Sequence, residues 1–397
     1  MNREEAKRPS SFVRTFNKKR LYDLIRRNEG ISRAELTRMV DLTPTSVGKI
    51  IGTLIDEGLV AECGLAVDGK IGRNAIQLSI RPEKVLTIAV DADVGWVCGA
   101  VVDINRNILA RFNQELPAYT TQEQDTELLA LVINTLWDGL TEEQRACVRG
   151  IGISTPGIVD HKRGFVVRAP QINWENYPMV EALRSRLHAD VPIIANNNVK
   201  AEAMAECIYG TGDRHSSAFV LSFGSGMGSA FISAGRVQMG SHNTMGEIGH
   251  ILVGSNGIKC SCGRYGCLRT HIARTSIEER VGMDLASCVA AAQMGDPLCT
   301  DVLEEAVRYS AIWLSNCINL YDPEIIYLSG SMLEVWPDFY ERVEKAYRQY
   351  MFAPLAKYEY PVRRSFISME KNHMIVPAAI VFYQYLLSNV QIDRGEN

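Results

Sequence analysis

The 397-residue sequence contains no apolar run of the roughly 20 residues that a membrane-spanning helix needs. That absence excludes insertion into a bilayer as a helix. The opening stretch, MNREEAKRPSS, is polar and lacks the basic-then-apolar pattern of a secretory leader. Ten cysteines without a secretory context argue for reduced thiols and against a disulfide framework, so the expected compartment is the cytoplasm. There is no short-period repeat and no low-complexity segment, which excludes a solenoid or a biased tail. Nor is there a large excess of either charge. The net charge is −4, but it is unevenly spread. Residues 1–82 carry 15 Lys and Arg against 10 Asp and Glu, a net +5, which leaves −9 for the remainder. A basic first piece on an acidic body implies an anionic partner for that piece alone.

What is present divides into three parts. Residues 14–28 place Phe16, Leu21, Leu24 and Ile25 on one helical face, and Gly30 ends the helix. Ser32 with Glu35 forms a capping box for a second helix. Thr43 caps a third, with Pro44 at its first position, where a missing N–H costs nothing. Val47, Ile50, Ile51, Leu54 and Ile55 give that third helix a stripe to bury. Residues 59–62 and 75–80 read as strands around an Asp68-Gly69-Lys70 turn. Three helices and a hairpin predict a winged helix-turn-helix over residues 1–82, with double-stranded operator DNA as the partner. The third helix would enter the major groove by its first residues, so Thr45, Ser46 and Lys49 are the candidate contacts there. Lys70 and Arg73 at the wing tip would reach backbone or minor groove. The alternative for these residues is a helical protein-interaction domain.

After Arg81-Pro82 the pattern changes. Residues 85–90, 96–102 and 108–112 read as a three-stranded meander, followed by a helix over 126–141 and a strand over 150–154. A helix over 177–188 and a strand over 191–195 complete an α/β lobe. A second lobe repeats the opening: a strand over 217–223, the turn GSGMGS, and a strand over 229–233. Mostly helix follows from 275 to 320, then a strand over 325–328 and a last helix over 376–387. Two lobes that each open with a meander suggest an actin-like (ribonuclease H-like) two-lobe ATPase-type fold. We expect a first lobe over 83–195, completed by the C-terminal helix of about 376–397, and a second lobe over 196–375.

Residues 246–270 read GEIGHILVGSNGIKCSCGRYGCLRT. His250, Cys260, Cys262 and Cys267 form the spacing H-x9-C-x-C-x4-C, a four-ligand set suited to tetrahedral zinc. With four protein ligands nothing is left for a catalytic water, so the expected cofactor is a structural zinc. The bland alternative is three buried or free cysteines and a surface histidine. A metal this close to Glu247 would fix its carboxylate, leaving Glu247 and the free edge of His250 to face a polar ligand such as a sugar.

GEIGH followed by CSCGRYGCL resembles the signature of the ROK family, which contains sugar kinases and sugar-responsive repressors that carry an N-terminal winged helix. ISTPGIVD, APQINW, LSFGSGMGSAFISAGRVQMG and INLYDPEIIYLSG are similar to further family blocks, so the likeness runs through nearly the whole chain. LTPTSVGKIIGTLIDEGLV followed by KIGRNAIQL resembles the repressor branch. Three departures from the kinases stand out. Their Asp-x-Gly-Gly-Thr phosphate loop is Asp91-Ala92-Asp93-Val94-Gly95-Trp96 here. Their Asn-Asp pair falls on Asn197-Asn198, and an amide is no general base, a group worth about 10²–10⁴ in rate. Arg269 stands where a sugar-binding glutamate is usual; having no acceptor, it suits a carboxylate or phosphate on a modified sugar, or it closes the pocket by pairing with Glu247. Gly224, Gly226 and Gly228 remain, in a turn that serves a phosphate or simply a tight corner.

The resemblance thus implies a DNA-binding transcriptional regulator, in the first instance a repressor of carbohydrate-metabolism genes. Its kinase-like body would bind a sugar or sugar phosphate through Asn197, Asn198, Glu247, His250 and Arg269, with no catalytic residue. The alternatives are an active ATP-dependent sugar kinase and a body that docks a protein partner without binding sugar. Two-fold operators imply a homodimer or homotetramer.

Overall fold

The computed structural model describes residues 10–65, 76–117, 120–254, 257–369 and 373–387. The N-terminal part is a winged helix-turn-helix. Its helices span Ser10–Arg27, Arg33–Met39 and Pro44–Asp56. The capping box at Ser32 is formed: Glu35 Oε2 accepts the Ser32 N–H at 2.8 Å and Ser32 Oγ accepts the Glu35 N–H at 3.2 Å. Thr43 Oγ1 accepts the Ser46 N–H at 3.2 Å, which starts the third helix, and Val47, Ile51 and Leu54 are its buried stripe. Val60–Leu65 and Ile76–Ile80 pair antiparallel as the hairpin. A third strand, Ile31–Ser32, joins Ile76–Ile80 with Ile31 opposite Leu78. Two residues are too few to show alternation, so sequence pattern could not find it.

The body is built on two five-stranded sheets with the same plan. In the first, Leu86–Asp93, Trp96–Asp103 and Ile108–Glu115 form an antiparallel meander. Val148–Thr155 lies parallel to Leu86–Asp93, and Ile193–Asn197 parallel beyond it. In the second, Ser217–Phe223, Met227–Ser233 and Arg236–Val237 form the meander. Ile325–Ser329 and Val362–Arg364 are the parallel strands. The repeated order, meander then two parallel strands, is the duplicated actin-like architecture.

Two local expectations shift. The helix expected over 126–141 is Gln122–Asp138, because Thr121 and Gln124 form a capping box one turn earlier. The helix expected over 177–188 shrinks to Met179–Arg184. Tyr177 instead ends the strand Trp174–Tyr177. Its ring meets Trp174 edge-on at 5.2 Å and its hydroxyl lies 2.6 Å from Thr126 Oγ1. That strand belongs to a small antiparallel sheet with Ile158–Asp160 and Phe165–Ala169, an addition to the first lobe that the hydrophobic pattern does not announce.

Two helices join the parts. Asn198–Ile208 leaves the last strand of the first sheet and packs against the second. The C-terminal helix Ile375–Leu387 packs on that helix and on the first sheet. At Gly152 a side chain would meet the Pro377 carbonyl oxygen at 2.2 Å, so the seat of this helix requires glycine. Leu21, Tyr22 and Ile25 of the first helix share one core with Ala378, Phe382 and Leu386 of the C-terminal helix, and with Val85, Val102 and Ile104 of the first lobe. The winged helix is therefore packed onto the body. No helix among the described residues is long and apolar enough to cross a membrane.

Candidate functional site

The lobes enclose a cavity of about 410 Å³ that brings together Asn197, Asn198, Glu247, His250 and Arg269. Asn197 is the N-cap of the helix Asn198–Ile208: its Oδ1 accepts the N–H groups of Val199 at 3.0 Å and Lys200 at 3.2 Å. Its Nδ2 donates to the Gly157 carbonyl at 2.8 Å, tying the loop after the strand Val148–Thr155 to the helix start. Asn197 thus shapes the cleft more than it offers groups to a ligand. Asn198 Oδ1 accepts the Val199 N–H at 2.9 Å. An amide at this place donates and accepts but cannot take up a proton.

The lining is cationic. Arg168, Lys200, Arg264 and Arg269 face the cavity, with Glu247 as the one carboxylate among the described lining residues. Lys200 is only 2% exposed. Burial pushes its ammonium pKa down, and Glu247 pulls it up. Its Nζ donates to the Asn243 carbonyl, and Asn243 Oδ1 lies 2.7 Å from His161 Nδ1. Glu247 is pushed above the usual carboxylate range by burial, against the pull of Lys200 and then Arg269. Arg269 and Glu247 form no ion pair among the described residues; Arg269 Nη1 donates to Ser261 Oγ at 2.9 Å instead. The expected closing of the pocket by an Arg269–Glu247 pair is therefore not what the fold does. Sequence reasoning missed Lys200, although a lone lysine in the Ala-rich helix NVKAEAMAECI was the available signal.

On the other side of the cleft, Asp93 and Trp96 pair across a tight hairpin whose Gly95 has φ 85°. Asp93 Oδ1 accepts the Val94 N–H at 2.7 Å. The glycine turn is equally tight, with the Gly224 N–H donating to the Gly226 carbonyl at 3.0 Å, and it lines the cavity. Behind these turns sit two carboxyls. Burial raises Glu202, although the Ser329 and Ser222 hydroxyls donate to it. Burial pushes Asp91 up to about 7; the nearby Ser154 hydroxyl opposes this, and Asp93 and Glu202 add to it.

The cluster of His250, Cys260, Cys262 and Cys267 is assembled. Its ligand atoms all lie within 4.8 Å of one another, a donor set that can hold a metal ion. His250 ends the short 3₁₀ turn Ile248–His250, three residues beyond Glu247 in the cleft wall. The cysteines sit on a loop pinned by the bridges Leu252 with Cys267 and Lys259 with Tyr265. Gly263 (φ 91°) and Gly266 (φ 80°) take left-handed conformations that turn the three sulfurs inward. Burial raises the Cys262 thiol, but the N–H and guanidinium of Arg264 outweigh it and bring it down to about 7.

At the other end of the molecule, Thr45 and Lys49 are exposed at the start of the third helix. Ser46 is half-buried and its Oγ accepts from Thr43 Oγ1 at 2.9 Å. Lys70 and Arg73 lie outside the described residues.

The Asp91 shift yields a test. Its carboxyl is pushed up to about 7 in the fold and returns to the ordinary aspartate value of 3.8 when unfolded. Its contribution to stability is full below 3.8 and is lost as pH rises through about 7. Asp91→Asn should therefore raise the melting temperature at pH 8, by a free energy of at most about 4 kcal/mol, and change little near pH 4. Equal effects at both pH values would show that Asp91 is not held neutral.

Comparison with known proteins agrees with this geometry. Residues 87–376 match the ROK family, and residues 17–61 match a winged helix-turn-helix DNA-binding family. The chain is 30% identical over 337 residues to the DNA-binding transcriptional dual regulator NagC of Escherichia coli (strain K12), covering 81% of this chain and 82% of that one. It is 25% identical over 332 residues to the xylose repressor of Bacillus subtilis (strain 168), covering 82% and 85%. Among solved structures, a ROK family transcriptional regulator described as a homolog of the E. coli MLC protein superposes with TM-score 0.76 at 24% identity, over 95% of this chain and 98% of that one. A ROK hexokinase from Thermus thermophilus superposes with TM-score 0.62 at 25% identity, over 75% of this chain and 97% of that one. Matched by the family over residues 87–376 and by a relative 30% identical across 81% of its length, the chain belongs to the ROK family.

Proposed function

We propose that this chain is a DNA-binding transcriptional repressor of carbohydrate genes whose kinase-like body binds an anionic sugar derivative and does not phosphorylate it. One observation carries the reading: a winged helix is packed through a shared core onto a body whose inter-lobe cavity has an amide at Asn198 and is lined by Arg168, Lys200, Arg264 and Arg269, with Glu247 the one carboxylate among the described lining residues. A neutral sugar gives no counter-charge to Lys200, Arg168, Arg264 and Arg269; a sugar phosphate or sugar acid does. Glu247, Asn198 and the outer edge of His250 supply acceptors and donors for hydroxyls. The names of the relatives, regulator and xylose repressor, support the same reading. The division into residues 1–82, 83–195 with the C-terminal helix, and 196–375 is part of it, as are a cytoplasmic location and an even-numbered homo-oligomer on a two-fold operator.

The metal in this reading is a structural zinc. A tetrahedron with Zn–S bonds near 2.3 Å and Zn–N near 2.0–2.1 Å has edges of about 3.5–3.8 Å. The separations of 3.6 Å from Cys260 Sγ to His250 Nδ1 and 3.6 Å from Cys262 Sγ to Cys267 Sγ fit those edges. The zinc would hold His250 and, through the chain, Glu247 against the cleft.

Three outcomes are expected. In calorimetric titrations a hexose phosphate should bind at least tenfold more tightly than the parent hexose, and Arg269→Gln should remove most of that preference. Equal affinity for both would overturn the anionic effector. Elemental analysis should give one zinc per chain, with Cys262→Ser losing the metal and melting lower; carefully prepared protein without zinc would sink the metal assignment. On operator DNA, Lys49→Ala should weaken specific and non-specific binding together and reduce the salt slope by about 0.9. Ser46→Ala should leave the slope unchanged and alter preference among operator variants by about 1–3 kcal/mol at one position. If Lys49→Ala changed neither affinity nor slope, the third helix would not be the DNA-reading element.

A further inference from the structure

A second cavity, of about 460 Å³, opens where the winged helix meets the body. Its wall includes Arg26 and Arg27 from the first helix, Arg106 from the turn between Trp96–Asp103 and Ile108–Glu115, Tyr209 after the cleft helix, and Arg214. Among the described residues, four guanidiniums line it and no carboxylate does. Two carboxylates stand nearby, both engaged. Asp23 bridges Arg26 and Arg27, at 2.8 Å to each. Asp103 is bound into its own turn: Oδ1 accepts the N–H groups of Asn105 at 2.8 Å and Asn107 at 2.9 Å, and Oδ2 accepts Asn107 Nδ2 at 2.8 Å.

Two further features point to a ligand. Arg106 is held at φ 73°, a left-handed conformation disfavoured for a residue with a β-carbon, at the rim of the cavity. Tyr209 has its ring 5.5 Å from the Arg26 guanidinium and 5.7 Å from that of Arg106. Its hydroxyl is buried without a hydrogen-bond partner. Buried hydroxyls almost always have partners. A donor without an acceptor, beside four guanidiniums, is the complement of an oxyanion.

We propose that this cavity binds the phosphoryl group of a small anion, and that the bound anion clamps the winged helix to the body. Arg26 and Arg27 approach it from the DNA-binding domain, Arg106 and Arg214 from the body. Arg106 and Arg214 present guanidiniums to the phosphate oxygens, Arg26 and Arg27 add positive charge while their forks stay on Asp23 and on the Ile208 and Cys207 carbonyls, and the Tyr209 hydroxyl donates to a further oxygen. Because the anion touches both domains, its binding and DNA binding are linked reciprocally. The site is separate from the sugar cleft and does not depend on what the cleft binds.

The test uses the full-length protein, with inorganic phosphate as the probe and potassium chloride at equal ionic strength as the reference. Phosphate should raise the melting temperature saturably beyond chloride, with a matching calorimetric isotherm. Arg106→Gln and Arg214→Gln remove exposed side chains, so each variant should fold, and each should weaken phosphate about tenfold. Arg269→Gln in the cleft should leave the phosphate effect intact. Three results would each overturn the proposal: no phosphate effect beyond chloride; an effect that persists in the Arg106→Gln, Arg214→Gln double variant; or an effect that disappears with Arg269→Gln, which places phosphate in the cleft. A salt slope for DNA reduced by about 0.9 in Arg214→Gln, with no phosphate effect, would assign the arginine to the DNA backbone and overturn it as well.

Discussion

The close approach of the C-terminal helix to the strand Val148–Thr155 is the contact on which the rest depends. It exists because Gly152 presents no side chain to the Pro377 carbonyl. Once seated, Ile375–Leu387 is buried almost along its length. One part of its surface closes the first sheet, a second packs on the cleft helix Asn198–Ile208, and a third supplies Ala378, Phe382 and Leu386 to the core under the winged helix. Three units that would each leave an apolar face exposed are covered by thirteen residues. The DNA-binding domain is thereby joined to the body by a packed core, not by a tether alone.

The cleft shows what happens to a catalytic architecture when its charge is changed. The glycine turn, the inter-lobe cavity and the acids Asp91 and Glu202 are those of a site built around phosphate and hydroxyl groups. With an amide at Asn198 and with Lys200 buried within reach of Glu247, the cavity wall carries more positive than negative charge among the described residues. Glu247 is the counter-charge that Lys200 and Arg269 share, while Arg168 and Arg264 are exposed to solvent. On the reading proposed above, an anionic occupant adds the counter-charge that this wall lacks, and the cleft serves binding.

Much of this was legible in the sequence, and for definite reasons. The capping pairs Ser32 with Glu35 and Thr43 with Pro44 are local and act within one turn, so residue type alone located them. The meanders show strong alternation or continuous apolar runs. The cysteine spacing is compact enough for its geometry to follow from the sequence. What escaped was non-local or too short. The strand Ile31–Ser32 exists only because Leu78 and Gln77 are there to pair with it. The sheet made by residues 158–177 is fixed by Tyr177 meeting Thr126 and Trp174 meeting Asp125, contacts across about fifty positions that no window sees. The four arginines of the second cavity come from three stretches of chain far apart in sequence, at residues 26–27, 106 and 214.

Those same non-local contacts decide how the two ends of the molecule communicate. The cleft helix is 11 residues long, roughly 16 Å at 1.5 Å per residue. Its first turn is held by Asn197, whose side chain also holds the Gly157 loop of the cleft. Its last turn offers the carbonyls of Cys207 and Ile208 to Arg27 and Arg26 of the winged helix. An α-helix of this length, buried on most sides, shifts as a body more readily than it bends. A ligand that pulls the cleft shut acts on the Asn197 end, and the displacement must appear at the arginines, where it meets a hydrogen-bonded seam with few alternative arrangements. The ligand can bias DNA binding only by the difference in its affinity for the two arrangements. A charged effector, which gains or loses whole ion pairs as Lys200 and Arg269 move, has a larger difference to offer than a neutral one. Charge in the cleft and the rigidity of one short helix are therefore two halves of a single requirement: the signal must be strong where it enters and must not be absorbed on the way.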